Sequence, residues 1–115
     1  MSYGWAWKTP KYKNTIVNTG DGKFDSKLEY YRWGELTMLE KSGQIKDLKR
    51  QVKFVLIDKS RYGREISYIA DFTYFKGNKL VVEDTKSSAT KTRLYVLKKR
   101  LLAERYGIII TEIER

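Results

Sequence analysis

The stretch from Glu65 to Lys86 constrains the fold more than any other part of the chain. Ile66, Tyr68, Ala70, Phe72 and Tyr74 share one parity, and Ser67, Ile69, Asp71, Thr73 and Phe75 share the other. Successive side chains of a strand point to opposite faces, so this alternation predicts a strand. Lys76-Gly77-Asn78-Lys79 then supplies the glycine and asparagine that tight hairpin turns favour, and Leu80 to Lys86 reads as the returning strand. A lone two-stranded hairpin is marginal in water, so the rest of the chain must extend and cover it.

The flanking sequence does so. Leu48 to Ile57 predicts a preceding strand, with Leu48, Val52, Phe54 and Leu56 on one parity, and Asp58 to Arg64 is a polar turn around Gly63. Asp25 to Ser42 predicts a helix. Ser26 and Glu29 have the spacing of a capping box, Leu28, Tyr31, Leu36 and Leu39 recur at helical intervals, and Gly43 stands at its end. Thr92 to Tyr106 predicts a second helix, with Leu94, Leu97, Leu101 and Leu102 as its buried stripe and Gly107 as its stop. Ile108 to Ile113 is β-branched and reads as a last strand. Short turns make the first three strands an antiparallel meander, and the crossover helix makes the last parallel to the third. The expected fold class is α/β: a single-domain, mixed four-stranded sheet flanked by helices, in the order α-β-β-β-α-β. Residues 1–22 read as a basic, aromatic N-terminal arm holding Trp5, Trp7 and Pro10, and residues 23–115 as the folded domain.

Composition narrows the chemistry. The chain has no cysteine and no histidine, which removes disulfides, thiolate zinc sites, cysteine nucleophiles and the serine–histidine triad. Catalysis would have to use carboxylates, lysine, tyrosine or hydroxyls, and a bound metal would be a hard cation such as Mg2+ or Mn2+. Lysine and arginine number 24 against 14 acids, a formal charge of +10, which points to a polyanionic partner, nucleic acid before an anionic membrane. No run approaches the roughly 18 apolar residues of a membrane span, and no secretory pattern opens the chain, so the expected location is the cytoplasm.

The acidic residues concentrate in the central hairpin. Asp71 lies within Tyr68-Ile69-Ala70-Asp71-Phe72, and Val82-Glu83-Asp84-Thr85-Lys86 forms the adjacent strand. Asp84 and Lys86 share a face, and Asp71 reaches it if the hairpin register allows. Two carboxylates and a backbone carbonyl suffice to hold a divalent cation, which can bind a phosphate, offset its developing charge and acidify a water that the lysine then orients. Read by itself, Asp-x-Lys is equally a surface ion pair.

An acid on a first helix, an aspartate, then (D/E)-x-K on the next strand, followed by a helix and a strand, resembles the PD-(D/E)xK, or restriction-endonuclease-like, nuclease superfamily. Ala70 stands where the proline of that name would be. Lys11 to Asn14, Lys23 to Glu29, Gly43 to Ile45, Tyr68 to Phe72 and Val82 to Lys86 further resemble small phage and prophage proteins of this superfamily, similar in size and layout to archaeal-type Holliday junction resolvases. The resemblance implies Asp71 and Asp84 as metal ligands, the Thr85 carbonyl as a third, Glu29 as an outer ligand and Lys86 as the residue serving the attacking water. Glu35 is the substitute for Glu29, since a helical wheel puts it nearer the apolar stripe and a capping-box glutamate is engaged with the backbone of its own cap. Glu83 takes the place of Asp84 only if a bulge shifts the strand.

For a DNA surface, the candidates are Lys11 and Lys13 in the arm, Ser87 in the loop after the hairpin, and Lys91, Arg93, Lys99 and Arg100 around the second helix. Trp5, Trp7 and Tyr62 are suited either to stack on unpaired bases or to fill an interface. The expected function is a metal-dependent, structure-selective endodeoxyribonuclease acting on branched DNA, foremost the four-way junction. Symmetric resolution needs two cuts and so implies a homodimer. The alternatives are a nicking, flap or restriction-type nuclease on duplex DNA, a ribonuclease, and a DNA-binding protein without catalysis on the same fold.

Overall fold

The structure, a computed structural model, describes residues 17–19, 22–85 and 91–114. Its elements in chain order are β1 (Val17–Thr19), β2 (Gly22–Phe24), α1 (Lys27–Lys41), β3 (Lys46–Ile57), β4 (Ile66–Lys76), β5 (Lys79–Thr85), α2 (Arg93–Tyr106) and β6 (Thr111–Ile113). Strands β3-β4-β5-β6 form one sheet in that order, antiparallel except for the parallel β5–β6 pair. The chain is thus a small α/β fold with a mixed four-stranded sheet and two helices. Among the described residues no helix is long and apolar enough to cross a membrane.

Local chemistry sets the element ends. Ser26 caps α1 by accepting the Glu29 amide, and Thr92 caps α2 by accepting the Tyr95 amide. Gly107 ends α2 at φ 69°, a left-handed conformation that costs glycine nothing. The β4–β5 turn closes between Lys76 and Lys79, with Gly77 at φ 64° in the first central position. The sequence predicts an N-terminal arm through residue 22, but Val17–Thr19 and Gly22–Phe24 pair as β1 and β2. Phe24, at the end of β2, is fully buried and meets Tyr30 edge-on at 5.3 Å. The arm boundary expected after residue 22 therefore falls within β2. Trp5, Trp7 and Pro10 lie outside the described residues.

The sheet carries one core on each face. Leu56, Tyr68, Ala70 and Val82 pack with Tyr95 and Leu102 of α2. Phe72, Tyr74 and Ile45 pack with Leu36 of α1, and Trp33 stacks on Phe72 at 6.0 Å. The alternation of β4 places Tyr68, Ala70, Phe72 and Tyr74 on a single face, yet the first two serve α2 and the last two α1. The face reverses between Ala70 and Phe72, at Asp71. Strand β3 reverses with it: Leu48 packs toward α1, while Phe54 and Leu56 pack toward α2. The residue of β3 opposite Asp71 is Gln51, whose φ of 52° breaks the extended conformation, and the pairs Arg50↔Phe72 and Val52↔Ala70 hold on either side. Both strands turn together, so the register survives while each helix receives its own half of the sheet.

The helix stripes also differ from expectation. In α2, Leu94 and Leu97 are 58% and 49% exposed, and the buried positions are Tyr95 and Leu102. In α1, Leu36 and Leu39 pack inward as expected, but Tyr31 is exposed, and Glu29 and Trp33 are the other inward residues. A leucine count cannot separate these rows, because adjacent rows on either helix carry comparable apolar content and the sheet face decides which turns inward.

Candidate functional site: a fork between two strands

Pairing of β4 with β5 ends at Phe72↔Glu83. Beyond it, Asp84 and Thr85 pair only with β6. On the β4 side, the ladder is replaced by a side chain: Asp71 Oδ2 accepts the Thr85 amide at 2.9 Å and the Thr85 hydroxyl at 2.7 Å. Asp71 thus fills the fork where the strands part, and the face reversal at this residue brings its carboxylate there.

Glu29 enters from the first turn of α1. It is 2% exposed. Its Oε1 accepts the Asp25 amide at 3.1 Å, one residue before the amide that a capping box would engage. Its Oε2 accepts from Gln51 Nε2 at 2.9 Å, and the Arg50 guanidinium stands 3.8 Å away. Burial, and next the negative charge of Asp71, raise the Glu29 carboxyl above its ordinary range. Arg50 is placed by its flat side: the guanidinium lies 3.8 Å over the Phe24 ring. A side chain at Gly22 would come within 3.1 Å of Arg50, at a φ of 115° that other residues rarely adopt. Glu35, the substitute, sits at the surface in an i,i+3 pair with Arg32 at 3.3 Å.

Asp84 approaches from the α2 face. It is 1% exposed and accepts a hydrogen bond from the Tyr68 hydroxyl. Burial, with the Asp84 charge, pushes the Tyr68 hydroxyl far up, so it remains a donor at any ordinary pH. The Tyr95 hydroxyl is likewise held protonated by burial and donates to Glu112 Oε2 at 2.6 Å. Glu83 faces the other way. Arg32 grips it through Nε at 2.8 Å and Nη2 at 2.7 Å, and the Tyr74 hydroxyl adds a third bond. β5 has no bulge here, so Glu83 belongs to the α1 core and Asp84 to the opposite face.

The charge of Asp71 acts on Glu29 and, more weakly, on the Tyr68 and Tyr95 hydroxyls. An all-oxygen donor set of this kind suits Mg2+ or Mn2+. Burial raises Glu29 most and the charge of Asp71 next, and a cation would offset the second of these. Among the described residues, however, no three acidic side chains are grouped so as to hold a metal ion. The donors that would serve are Asp71, Asp84 and the Thr85 carbonyl, and Glu29 is not grouped with both aspartates. Lys86, expected to serve the water, lies outside the described residues.

The basic candidates divide. Lys91 pairs with Glu112 at 3.1 Å and Glu114 at 2.5 Å, and Lys99 pairs with Glu112 at 3.0 Å. Lys99 therefore ties α2 to β6, and Lys91 ties the residues just before α2 to β6 and to Glu114 after it. Arg93 and Arg100 are exposed on α2. Lys11, Lys13 and Ser87 fall outside the described residues. Sequence reasoning missed Gln51, Tyr68, Tyr95 and Glu112. Tyr68 was legible only as a core aromatic, and nothing in the alternation of β3 distinguishes Gln51 from an outward polar residue.

A family model described as a protein of unknown function, DUF1064, matches residues 9–113. No curated protein matches the chain, and no solved structure does.

Proposed function

The chain belongs to the DUF1064 family of unknown function, so its activity must be read from the fork, and we propose that it is a metal-dependent endonuclease of branched DNA, foremost the four-way junction. The observation that carries this reading is Asp71 at the parting of β4 and β5, bonded to Thr85, with Glu29 close enough for the two charges to interact and Asp84 on the adjoining strand. The formal charge of +10 supports a polyanionic substrate. The resemblance to PD-(D/E)xK nucleases and archaeal-type resolvases supplies the reaction class and the homodimer.

The division of labour follows from the contacts. Asp71 and Asp84 supply carboxylate oxygens, and Tyr68 fixes the rotamer of Asp84. Thr85, tied to Asp71 through amide and hydroxyl, presents its carbonyl from a fixed position. Glu29 adds a carboxyl that burial, and then the charge of Asp71, hold above its ordinary range. A cation bound there would supply positive charge against the phosphate and acidify a water. Lys86 orients the attacking water in this reading. Arg93 and Arg100 contact phosphates, and affinity then falls with salt.

A non-catalytic DNA-binding protein is the second reading. The absence, among the described residues, of an assembled three-acid metal group favours it. A labelled four-way junction and a linear duplex of the same sequence, incubated with Mg2+ or Mn2+, separate the two. Paired symmetric nicks in the junction alone, lost in Asp84→Asn, support the resolvase. Equal cutting of both DNAs keeps the nuclease and discards the junction. Binding without cutting in either metal sinks the catalytic reading.

A further inference from the structure

Gln51 carries an unusual backbone at a significant place. It is a non-glycine residue at φ 52°, in the left-handed region, in the middle of a twelve-residue strand. Residues with a Cβ seldom occupy that region, and outliers of this kind cluster at working sites. It stands opposite Asp71, at the point where β3 and β4 exchange faces. Its side chain is spent on one contact: Nε2 donates to Glu29 Oε2 at 2.9 Å.

Two effects follow from this geometry. The left-handed turn at Gln51 lets β3 reverse with β4, so that Asp71 reaches the fork without loss of register. The amide meanwhile takes one oxygen of Glu29, while the Asp25 amide takes the other. Glu29 is therefore bound at both oxygens by neutral hydrogen-bond donors, with the Arg50 guanidinium 3.8 Å from Oε2, and its orientation is fixed from two sides. A residue chosen for backbone ease alone would be glycine or asparagine. Gln51 combines an unfavourable backbone with the side-chain length needed to reach α1.

We propose that Gln51 is a positioning residue of the fork, holding the Glu29 carboxylate in place relative to Asp71. The inference rests on the nuclease reading and deepens it. It makes the site a product of three strands and a helix, rather than of the hairpin and helix that the sequence marks.

The test uses Gln51→Gly, which tolerates the left-handed backbone and removes the side chain with its amide. Its stability is measured in a double-mutant cycle with Glu29→Ala by urea denaturation, without divalent metal. Its cleavage of the DNA that the wild type cuts is measured as kcat and KM. The expected result is non-additive stability together with a kcat lowered roughly tenfold or more, as for residues that orient ligating carboxylates, at unchanged KM. Additive stabilities overturn the proposal whether or not the protein cuts DNA. Coupled stabilities with a wild-type kcat also overturn it, because Gln51 is then a strut and the nuclease reading stands. A wild type that cuts no DNA fails the nuclease reading itself and removes the Gln51 role with it.

Discussion

Glu83 and Asp84 are consecutive on β5 and serve opposite faces: Arg32 of α1 holds Glu83 through bonds of 2.8 and 2.7 Å, and Tyr68 of β4 holds Asp84 from the α2 side. Both carboxylates are almost wholly buried. A sequence in which either acid fits the (D/E)-x-K pattern is thereby divided. Glu83 locks a helix to the sheet, and Asp84 is left for the fork.

Removing one partner of the Glu83 lock strands a buried charge. Arg32→Ala should destabilise the fold by about 3 kcal/mol, since an unpaired buried carboxylate is strongly unfavourable. The pair Arg32→Met and Glu83→Leu together should cost far less, because no charge is then buried. Urea denaturation of the single and double variants measures both. Equal losses in Arg32→Ala and in the double variant would mean that packing, not the charge pair, dominates here.

At the fork, Asp71→Asn and Asp84→Asn should fold normally, since the amide oxygen still accepts a hydrogen bond. Cleavage should fall on the order of a thousandfold, the equivalent of several kcal/mol of lost charge stabilisation. Initial rates of junction cleavage at fixed metal provide the check, and a wild-type rate in either variant rejects the residue assignment.

The acid limb of stability should depend on Glu112. The Tyr95 hydroxyl, aided by Lys99 and Lys91, holds its carboxyl at about 2, against 4.5 ordinarily. A depressed folded-state value stabilises above pH 4.5, and that contribution is lost as pH falls from there toward 2. Glu29 acts in the opposite sense. Its raised value makes its contribution largest in acid, and the contribution is lost as pH rises through the folded value. Thermal melts between pH 2 and pH 5 should show a shallower decline for Glu112→Gln than for wild type. Parallel curves would show that the Tyr95 and lysine contacts do not hold in solution.

The leucines of α2 give a test of the fold itself. Leu102 is fully buried, so Leu102→Ala should cost about 3 kcal/mol. Leu94→Ala and Leu97→Ala, at 58% and 49% exposure, should stay within about 0.5 kcal/mol of wild type. Urea midpoints decide it, and a large loss at Leu94 or Leu97 would show that the face exposed here is covered in solution.

Much of the fold was legible because it depends on local chemistry. The capping serine at 26, the stop at Gly107, the hairpin at Gly77 and the parallel last strand each follow from a short stretch of residues. The site was legible in part. Asp71 and Asp84 stood out as acids within apolar strands, and the resemblance added Glu29 over Glu35. The structure buries the first of those glutamates and leaves the second at the surface. Gln51 and Tyr68 were not visible as site residues, because their roles depend on contacts across 22 and 16 residues of chain.

Local sequence specified the order of the central elements and the ends of the two helices and the hairpin, since caps, turn glycines and alternation act through neighbours along the chain. The outer strands depart from it: β3 starts at Lys46 rather than Leu48, and β6 at Thr111 rather than Ile108. Tertiary structure alone decided which faces those elements present. Alternation records that Tyr68, Ala70, Phe72 and Tyr74 are apolar at every second place, but not that two of them serve α2 and two serve α1. One residue leaving the extended conformation reverses everything beyond it, and two helices, each needing a sheet face to bury its own apolar row, fix that reversal at Gln51 and Asp71.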